Sequence, residues 1–487
     1  MTVADVLHIL PLIILAAGAV VGMLGIAVHR SHIGTVVVTL CTLILSSAAL
    51  RAPLLASDRY ITPLIRLDDY AIFFTGLLFL AATAVAVMAY GYMRGRDIVR
   101  EEFYVLLLVA ILGCVFLVSS THFASFFLGL EVLSVSLYAL VAYSRSRQTD
   151  IEAGIKYLIL AATSSAFLLF GMGLVYAHAG TMELAELSRL AGAPWQRSDL
   201  IGFVGMGMIL VGIGFKLALV PFHYWAADVY EGAPAPATAL IATASKGAVF
   251  AVLLRYFGAM EIQIRDPFFI IFTVVAIATM FTGNFLALLQ EDIKRLLAYS
   301  SIAHMGYLLI AFLAGGGPAV AAVTFYLVAY FITTLGAFGV ITALSDKETD
   351  FSHISNYRGL AFRHPVLGVI LAAMMFSLAG IPLTAGFLAK FYVLLAGVGS
   401  ALWLLVLVLV ANSVIGLFYY LRVIIAIYQP VEPAPDETPS PHPHGPAPSG
   451  SIIGGLVLAV LTLLLIWLGI YPGPVIHWIG TFAGNFT

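Results

Sequence analysis

Apolar residues run along this chain in stretches long enough to cross a bilayer, with most polar residues gathered between them. A spanning helix needs about 20 mainly apolar residues. By that measure the sequence predicts fourteen spans: 4–28, 33–51, 70–93, 102–119, 123–143, 154–178, 200–222, 236–257, 267–289, 297–314, 319–344, 365–393, 400–428 and 452–472. The tail from Pro472 to Thr487 is too short to cross again and is predicted to lie at the interface, where Trp478 and Phe482 suit the headgroup boundary. The first apolar stretch begins without a basic leader or a small-residue cleavage site, and it reads as a first span rather than a removable signal. The predicted fold class is all-α and integral to the membrane.

Composition makes lipid the solvent. Of 487 residues, 62% are hydrophobic and 10% charged, whereas a soluble domain carries about 45–50% apolar and about 25% charged residues. The net charge of −2, without any basic run, argues against nucleic acid as a partner. Cys41 and Cys114 lie far apart in separate apolar segments and read as small packing residues, not as metal ligands or a disulfide pair. Lys and Arg number thirteen in the odd-numbered connections and seven in the even-numbered ones. The positive-inside rule then places the odd connections in the cytoplasm and both termini outside. One segment, QPVEPAPDETPSPHPHGPAPSG before the last span, is rich enough in proline to read as an extended, solvated cytoplasmic linker. His442 and His444 within it read as loop residues rather than a metal site.

Four charges fall where the pattern forbids them. Glu131, Lys216, Lys246 and Lys390 lie inside predicted spans, and a charge at the bilayer centre costs about 2.5–3.5 kcal/mol on insertion scales. One reading is structural: a buried Lys–Glu pair that holds helices together, or a lysine that snorkels to the interface. The other is an ion path, the usual reason for ionisable groups at membrane depth. Local sequence favours the path. Pro221 follows Lys216, Pro234 and Pro236 precede Lys246, and Pro382 and Gly386 precede Lys390. Proline removes an intrahelical hydrogen bond, so freed carbonyls are expected beside each lysine. Interrupted helices at corresponding points of two halves mark transporter sites. Because burial disfavours the charged form of either group, a buried Lys and a buried Glu can exchange protons, as a relay requires. His223, His304 and, more remotely, His122 lie close to this set in sequence, and each is a relay candidate or a satisfied polar residue at a helix end.

These segments resemble a known family. The Glu131 segment, GFKLALVPFHYWAADVYEGAPAPATALIATASK, QEDIKRLLAYSSIAHMGY and LAGIPLTAGFLAKF, in that order, are similar to the antiporter-like membrane subunits shared by respiratory complex I, multisubunit cation/proton antiporters and membrane-bound hydrogenases. The resemblance covers about residues 100–425. It implies about fourteen helices with two inverted five-helix repeats, each holding a discontinuous helix. The implied division is three spans in 1–100, repeats at 101–258 and 266–428, the linker at 429–451, and a last span with its tail at 452–487. Residue by residue, Glu131 and Lys216 match the charged pair of the first half-channel, Lys246 the central connecting residue and Lys390 the terminal one. Lys390 stands where the M-type subunits of complex I have Glu, the long lateral helix of the L-type is absent, and DFSHISNYRGLAFRHP resembles the N-type.

The resemblance implies a non-redox, proton-translocating subunit of an NADH:quinone oxidoreductase in a bacterial inner membrane. Its partners would be peripheral-arm subunits and paralogous antiporter-like subunits. The chain has no GxGxxG opening a helix after a strand and no CxxC cluster, so NADH, FMN, iron–sulfur clusters and quinone are expected on partner subunits. Rival readings are a cation/proton antiporter subunit without a redox partner, and a scaffold whose buried charges are structural. A stand-alone solute transporter fits less well, since no polar substrate cavity is evident beyond the charged row.

Overall fold

The structure, a computed structural model, describes residues 3–51, 60–94, 96, 98–144, 148–185, 199–257, 266–346, 350–430 and 452–484. The Pro-rich linker from 431 onward with His442 and His444 lies outside them, as do Arg59, Arg145, Arg147, Arg189, Arg197, Arg265 and Lys347 of the charge count.

Thirteen helices among the described residues are long and apolar enough to cross a membrane. They begin with α1 (Leu10–Val28), α2 (His32–Ala49), α3 (Asp69–Arg94), α4 (Glu101–Ser119), α5 (Phe123–Val141), α6 (Gln148–Ala179) and α7 (Leu200–Leu217). A short helix α8 (Trp225–Gly232) leads into one span made of α9 (Ala235–Leu240), a π-helical turn (Ile241–Ser245) and α10 (Lys246–Phe257). There follow α11 (Pro267–Leu288), α12 (Ile293–Ala314) and α13 (Gly316–Leu344). Two shorter helices, α14 (Pro365–Ala379) and α15 (Ala385–Gly399), together occupy the predicted span 365–393. The chain ends with α16 (Trp403–Tyr428), α17 (Ile452–Ile470) and α18 (Gly473–Ala483).

Breaks and caps follow local chemistry. Ser31, Asp292 and Thr384 cap α2, α12 and α15 by accepting from backbone N–H groups two or three residues into the helix. Gly380 ends α14 in the left-handed conformation, φ +85°. Gly171 and Gly205 let α6 and α7 touch, since an added Cβ on either would sit 2.6–2.8 Å from the other's carbonyl oxygen.

Burial sorts the spans. The segment Ala235–Tyr256 is buried along its whole apolar window, and α12 and α13 nearly so, whereas α1, α2 and α17 keep most of theirs outward. A helix apolar all round belongs inside, and so Lys246 stands at the centre of the protein. In the sequence order α4, α5, α6, α7/α8, α9/α10 and again α11, α12, α13, α14/α15, α16, the fourth member of each five is interrupted by a non-helical turn, and the π turn lies in the fifth member of the first five.

Several details differ from expectation. Tyr60–Thr62 and Ile65–Arg66 form a small antiparallel ribbon between spans, pinned to the end of α4 by Thr121 N–H donating to Leu64 O. Cys41 faces outward while Cys114 is buried. Phe482 packs in the interior against Tyr70 and Phe73 of α3, and only Trp478 stays half-exposed. The largest difference concerns charge. Arg96 and Lys294, counted above as loop residues, are buried on Asp350: Arg96 Nη2 donates to Oδ1 at 3.0 Å, Lys294 Nζ to Oδ2 at 2.7 Å, and Tyr92 Oη to Oδ1 at 2.7 Å. Lys294 also donates to Glu231 O (2.8 Å) and Ala233 O (2.7 Å), where α8 gives way to α9. At the other end of that span, Arg255 pairs with Asp68 and donates to Val118 O. Such charges are invisible to a hydropathy scan, because their side chains turn inward from helix ends.

Candidate functional site

Each of the three intramembrane lysines is held in the same way. Lys216 Nζ donates to Ser134 Oγ at 2.7 Å and lies 5.4 Å from the centre of the Tyr157 ring. Lys246 Nζ donates to Ser301 Oγ at 2.7 Å and lies 5.6 Å from the Tyr230 ring. Lys390 Nζ donates to Ala379 O at 2.9 Å and lies 5.3 Å from the Tyr307 ring. All three are 8% exposed or less. An ammonium within about 6 Å of an aromatic face gains electrostatically without a counter-anion. Among the described residues each ammonium is thus held by one neutral oxygen and one tyrosine face rather than by a carboxylate pair.

Glu131 does not form that pair. It accepts from Ser165 Oγ at 2.5 Å, while Lys216 meets Ser134, one turn further along α5. Glu131 and the serine that holds Lys216 thus lie one turn apart on α5, with Ser165 reaching Glu131 from α6. The expectation of freed carbonyls holds for one lysine of the three. Lys390 takes the last carbonyl of α14, a place where the helix dipole favours a cation. Beside Lys216 the Phe215 carbonyl goes to Trp225 Nε1, and beside Lys246 the feature is the π turn rather than Pro234 or Pro236.

The histidines separate into three cases. His122 caps α5, its Nδ1 accepting from Ala124 N–H, which makes it a satisfied helix end. His223 lies in the turn between α7 and α8, stacked on Tyr224, with its Nδ1 unpartnered and no hydrogen bond to the row. His304 is buried within the row, its Nε2 3.1 Å from Tyr420 Oη and its Nδ1 2.7 Å from Tyr326 Oη. A cavity of about 10 Å³, lined by His304, Tyr326, Tyr330, Thr333, Ser377 and Ala389 among others, reaches from it to the Lys390 helix. That is about the room one water needs. Among the described residues no group of three His, Cys, Asp or Glu side chains is placed to hold a metal.

Sequence reasoning named the charges and missed their partners: Ser134, Ser165, Ser301 and the tyrosines. Polar residues at i and i+4 offered a signal in Ser300/His304 and Tyr326/Tyr330.

The geometry around Lys390 makes a direct prediction. A Cβ on Gly380 would lie 2.9 Å from Lys390 Cδ, at a backbone conformation that side chains disfavour. Gly380→Ala is expected to push Lys390 off Ala379 and to lower stability by about 1–2 kcal/mol. Thermal unfolding in detergent measures the second effect, and a melting curve like that of the unsubstituted protein would contradict it.

Comparison with known proteins identifies the family of the chain. The transmembrane family model described as NADH:quinone oxidoreductase/Mrp antiporter matches residues 120–416. NADH-quinone oxidoreductase subunit N of Ectopseudomonas mendocina is 44% identical over 484 residues, covering 98% of this chain and 96% of that protein. A chain of respiratory complex I from Thermus thermophilus superposes with a TM-score of 0.79 at 32% identity, covering 96% of this chain and 98% of that one. A chain of the Mrp complex from a Dietzia species reaches 0.85 at 21% identity over 100% of this chain and 98% of its own, a likeness of fold alone. With most of its length matched by the family model and nearly all of it by the subunit N relative, the chain belongs to the NADH:quinone oxidoreductase/Mrp antiporter membrane family, on its subunit N branch.

Proposed function

We propose that this chain is the proton-translocating membrane subunit of an NADH:quinone oxidoreductase, moving protons through Glu131, Lys216, Lys246, His304 and Lys390. The observation that carries the reading is the repeated setting of the three lysines, each buried on one neutral oxygen and one tyrosine face. Residues 101–258 and 266–428 act as two half-channels that meet at Lys246. His223 serves at most an entry turn. The redox chemistry of NADH, FMN, iron–sulfur clusters and quinone belongs to partner subunits, and this chain supplies the path. It works in a bacterial inner membrane with both termini on the periplasmic side. Charge placed or withdrawn near Glu131 shifts the proton on Lys216, and the change passes along the row.

The test is affinity capture of the tagged chain from gently solubilised native membranes. Bound flavin, iron–sulfur and NADH:quinone activity are expected in the captured material. Membrane subunits alone, with sodium-stimulated antiport in vesicles lacking NADH, would establish the antiporter reading instead. Likeness of fold favours neither, because both kinds of solved chain superpose closely. Identity across nearly the whole chain favours the oxidoreductase.

A further inference from the structure

We infer that Tyr420, anchored by Ser300, is a positioning residue that determines which nitrogen of His304 carries the proton; the inference rests on the proposed proton row. Four groups on three helices form one line: Ser300 Oγ to Tyr420 Oη at 2.5 Å, Tyr420 Oη to His304 Nε2 at 3.1 Å, and His304 Nδ1 to Tyr326 Oη at 2.7 Å. Ser300 and His304 project from one face of α12, Tyr420 comes from α16 and Tyr326 from α13. All four are buried.

A hydroxyl both gives and accepts, and a neutral imidazole does one at each nitrogen. The line therefore has two complementary directions. In one, Tyr326 donates to Nδ1, Nε2–H donates to Tyr420, and Tyr420 donates to Ser300. In the other, Ser300 donates to Tyr420, Tyr420 donates to Nε2, and Nδ1–H donates to Tyr326. Each direction satisfies both imidazole nitrogens and leaves one terminal hydroxyl, Ser300 in the first and Tyr326 in the second, to donate outside the line; each fixes the opposite tautomer. Buried hydrogen-bond chains of this kind are cooperative, so a half-reversed line is disfavoured. His304 stands one turn from Ser301, which holds Lys246, and faces the cavity toward Lys390. Its tautomer thus decides whether its proton points to the α16 side or the α13 side. The other titratable groups facing it are Lys246 from α10, Tyr330 from α13, Lys390 from α15 and Tyr307 from its own helix. Nothing in the sequence ties Tyr420 to this row, 116 residues from His304.

The test uses the intact oxidoreductase, purified with the variant chain and reconstituted in vesicles, with NADH-driven proton uptake followed between pH 6 and pH 8. Tyr420→Phe removes only the hydroxyl. It is expected to lower proton uptake about fivefold to tenfold, the equilibrium weight of one buried hydrogen bond, and to displace the pH profile. Ser300→Ala should give the same kind of defect, and the double variant should be no worse than Tyr420→Phe, since Ser300 acts through Tyr420. A loss that scales the profile equally at every pH, or additive losses in the double variant, would show a structural role and overturn the inference. Normal pumping by Tyr420→Phe overturns it as well. Lys246→Ala in the same assay separates the two levels: if it also pumps normally, the row itself is wrong, whereas if it alone fails, only the role of Tyr420 falls. Should Tyr420→Phe not assemble, Ser300→Ala carries the test alone.

Discussion

Lys246→Ala is expected to stop proton translocation, with NADH-driven uptake into vesicles falling about 100-fold or more, the scale of a lost acid–base group. In the proposed row Lys246 is the junction. It is 1% exposed, follows the π turn directly and reaches Ser301, one turn from His304. The more telling variant is Lys246→Arg. Arginine keeps the cation, the donors and an affinity for the Tyr230 face, but it does not release its proton in a protein. If Lys246 is a relay, Lys246→Arg assembles and pumps no better than Lys246→Ala. If its charge is structural, Lys246→Arg restores pumping. Co-purifying flavin and partner subunits give the assembly control in both cases.

The second large effect concerns stability. Lys294→Met keeps the side chain's length and removes its charge, leaving Asp350 with Arg96 and the Tyr92 hydroxyl and taking one donor from each of the Glu231 and Ala233 carbonyls. Removing one member of a buried ion cluster costs about 3–5 kcal/mol, and here the loss falls where α8 passes into the Lys246 span. Thermal unfolding of the solubilised protein measures it, and a shift too small to resolve would place Lys294 among the ornamental charges. The acid dependence follows from the same cluster. Burial by itself raises the Asp350 carboxyl, but the Lys294 and Arg96 charges and the hydrogen bonds from Lys294 and Tyr92 outweigh it and hold the group at about 2, below its ordinary 3.8. A carboxyl depressed on folding contributes stability that is fully present above 3.8 and is lost as pH falls through about 2. Without Lys294 that depression shrinks, so Lys294→Met is expected to unfold at a higher pH on acidification than the unsubstituted protein.

How much of this was legible depends on what each residue stands against. Glu131, Lys216, Lys246 and Lys390 show in the sequence because a charge in an apolar stretch is expensive and rare. The breaks near Pro221 and Pro382 show because proline and glycine act locally. Ser134, Ser165, Ser301 and Tyr420 did not show. Serine and tyrosine sit in membrane helices for many reasons, and their partners here are 34 to 116 residues away. Lys294 and Arg96 were misplaced for a different reason. A hydropathy ruler assigns charges at helix ends to water, and only the path of the 350 loop reveals a carboxylate waiting under them. Spans are readable because each needs only itself. Pairings need the fold.

The π turn at Ile241–Ser245 has a consequence for the helix that follows it. An α-helix turns about 100° per residue, and a π turn takes one residue more than an α turn to advance the same distance. Everything from Lys246 onward is therefore set out of phase with Ala235–Leu240, and Lys246 faces Ser301 only because of that offset. Deleting a single alanine from 241–245 would tidy the winding into regular helix and leave every other side chain in the chain unchanged in kind. It would also turn the ammonium about a quarter of the way round, out of the row and into packed hydrocarbon. In this span the irregularity works as a keyway, and the sequence length of one turn decides whether Lys246 meets Ser301.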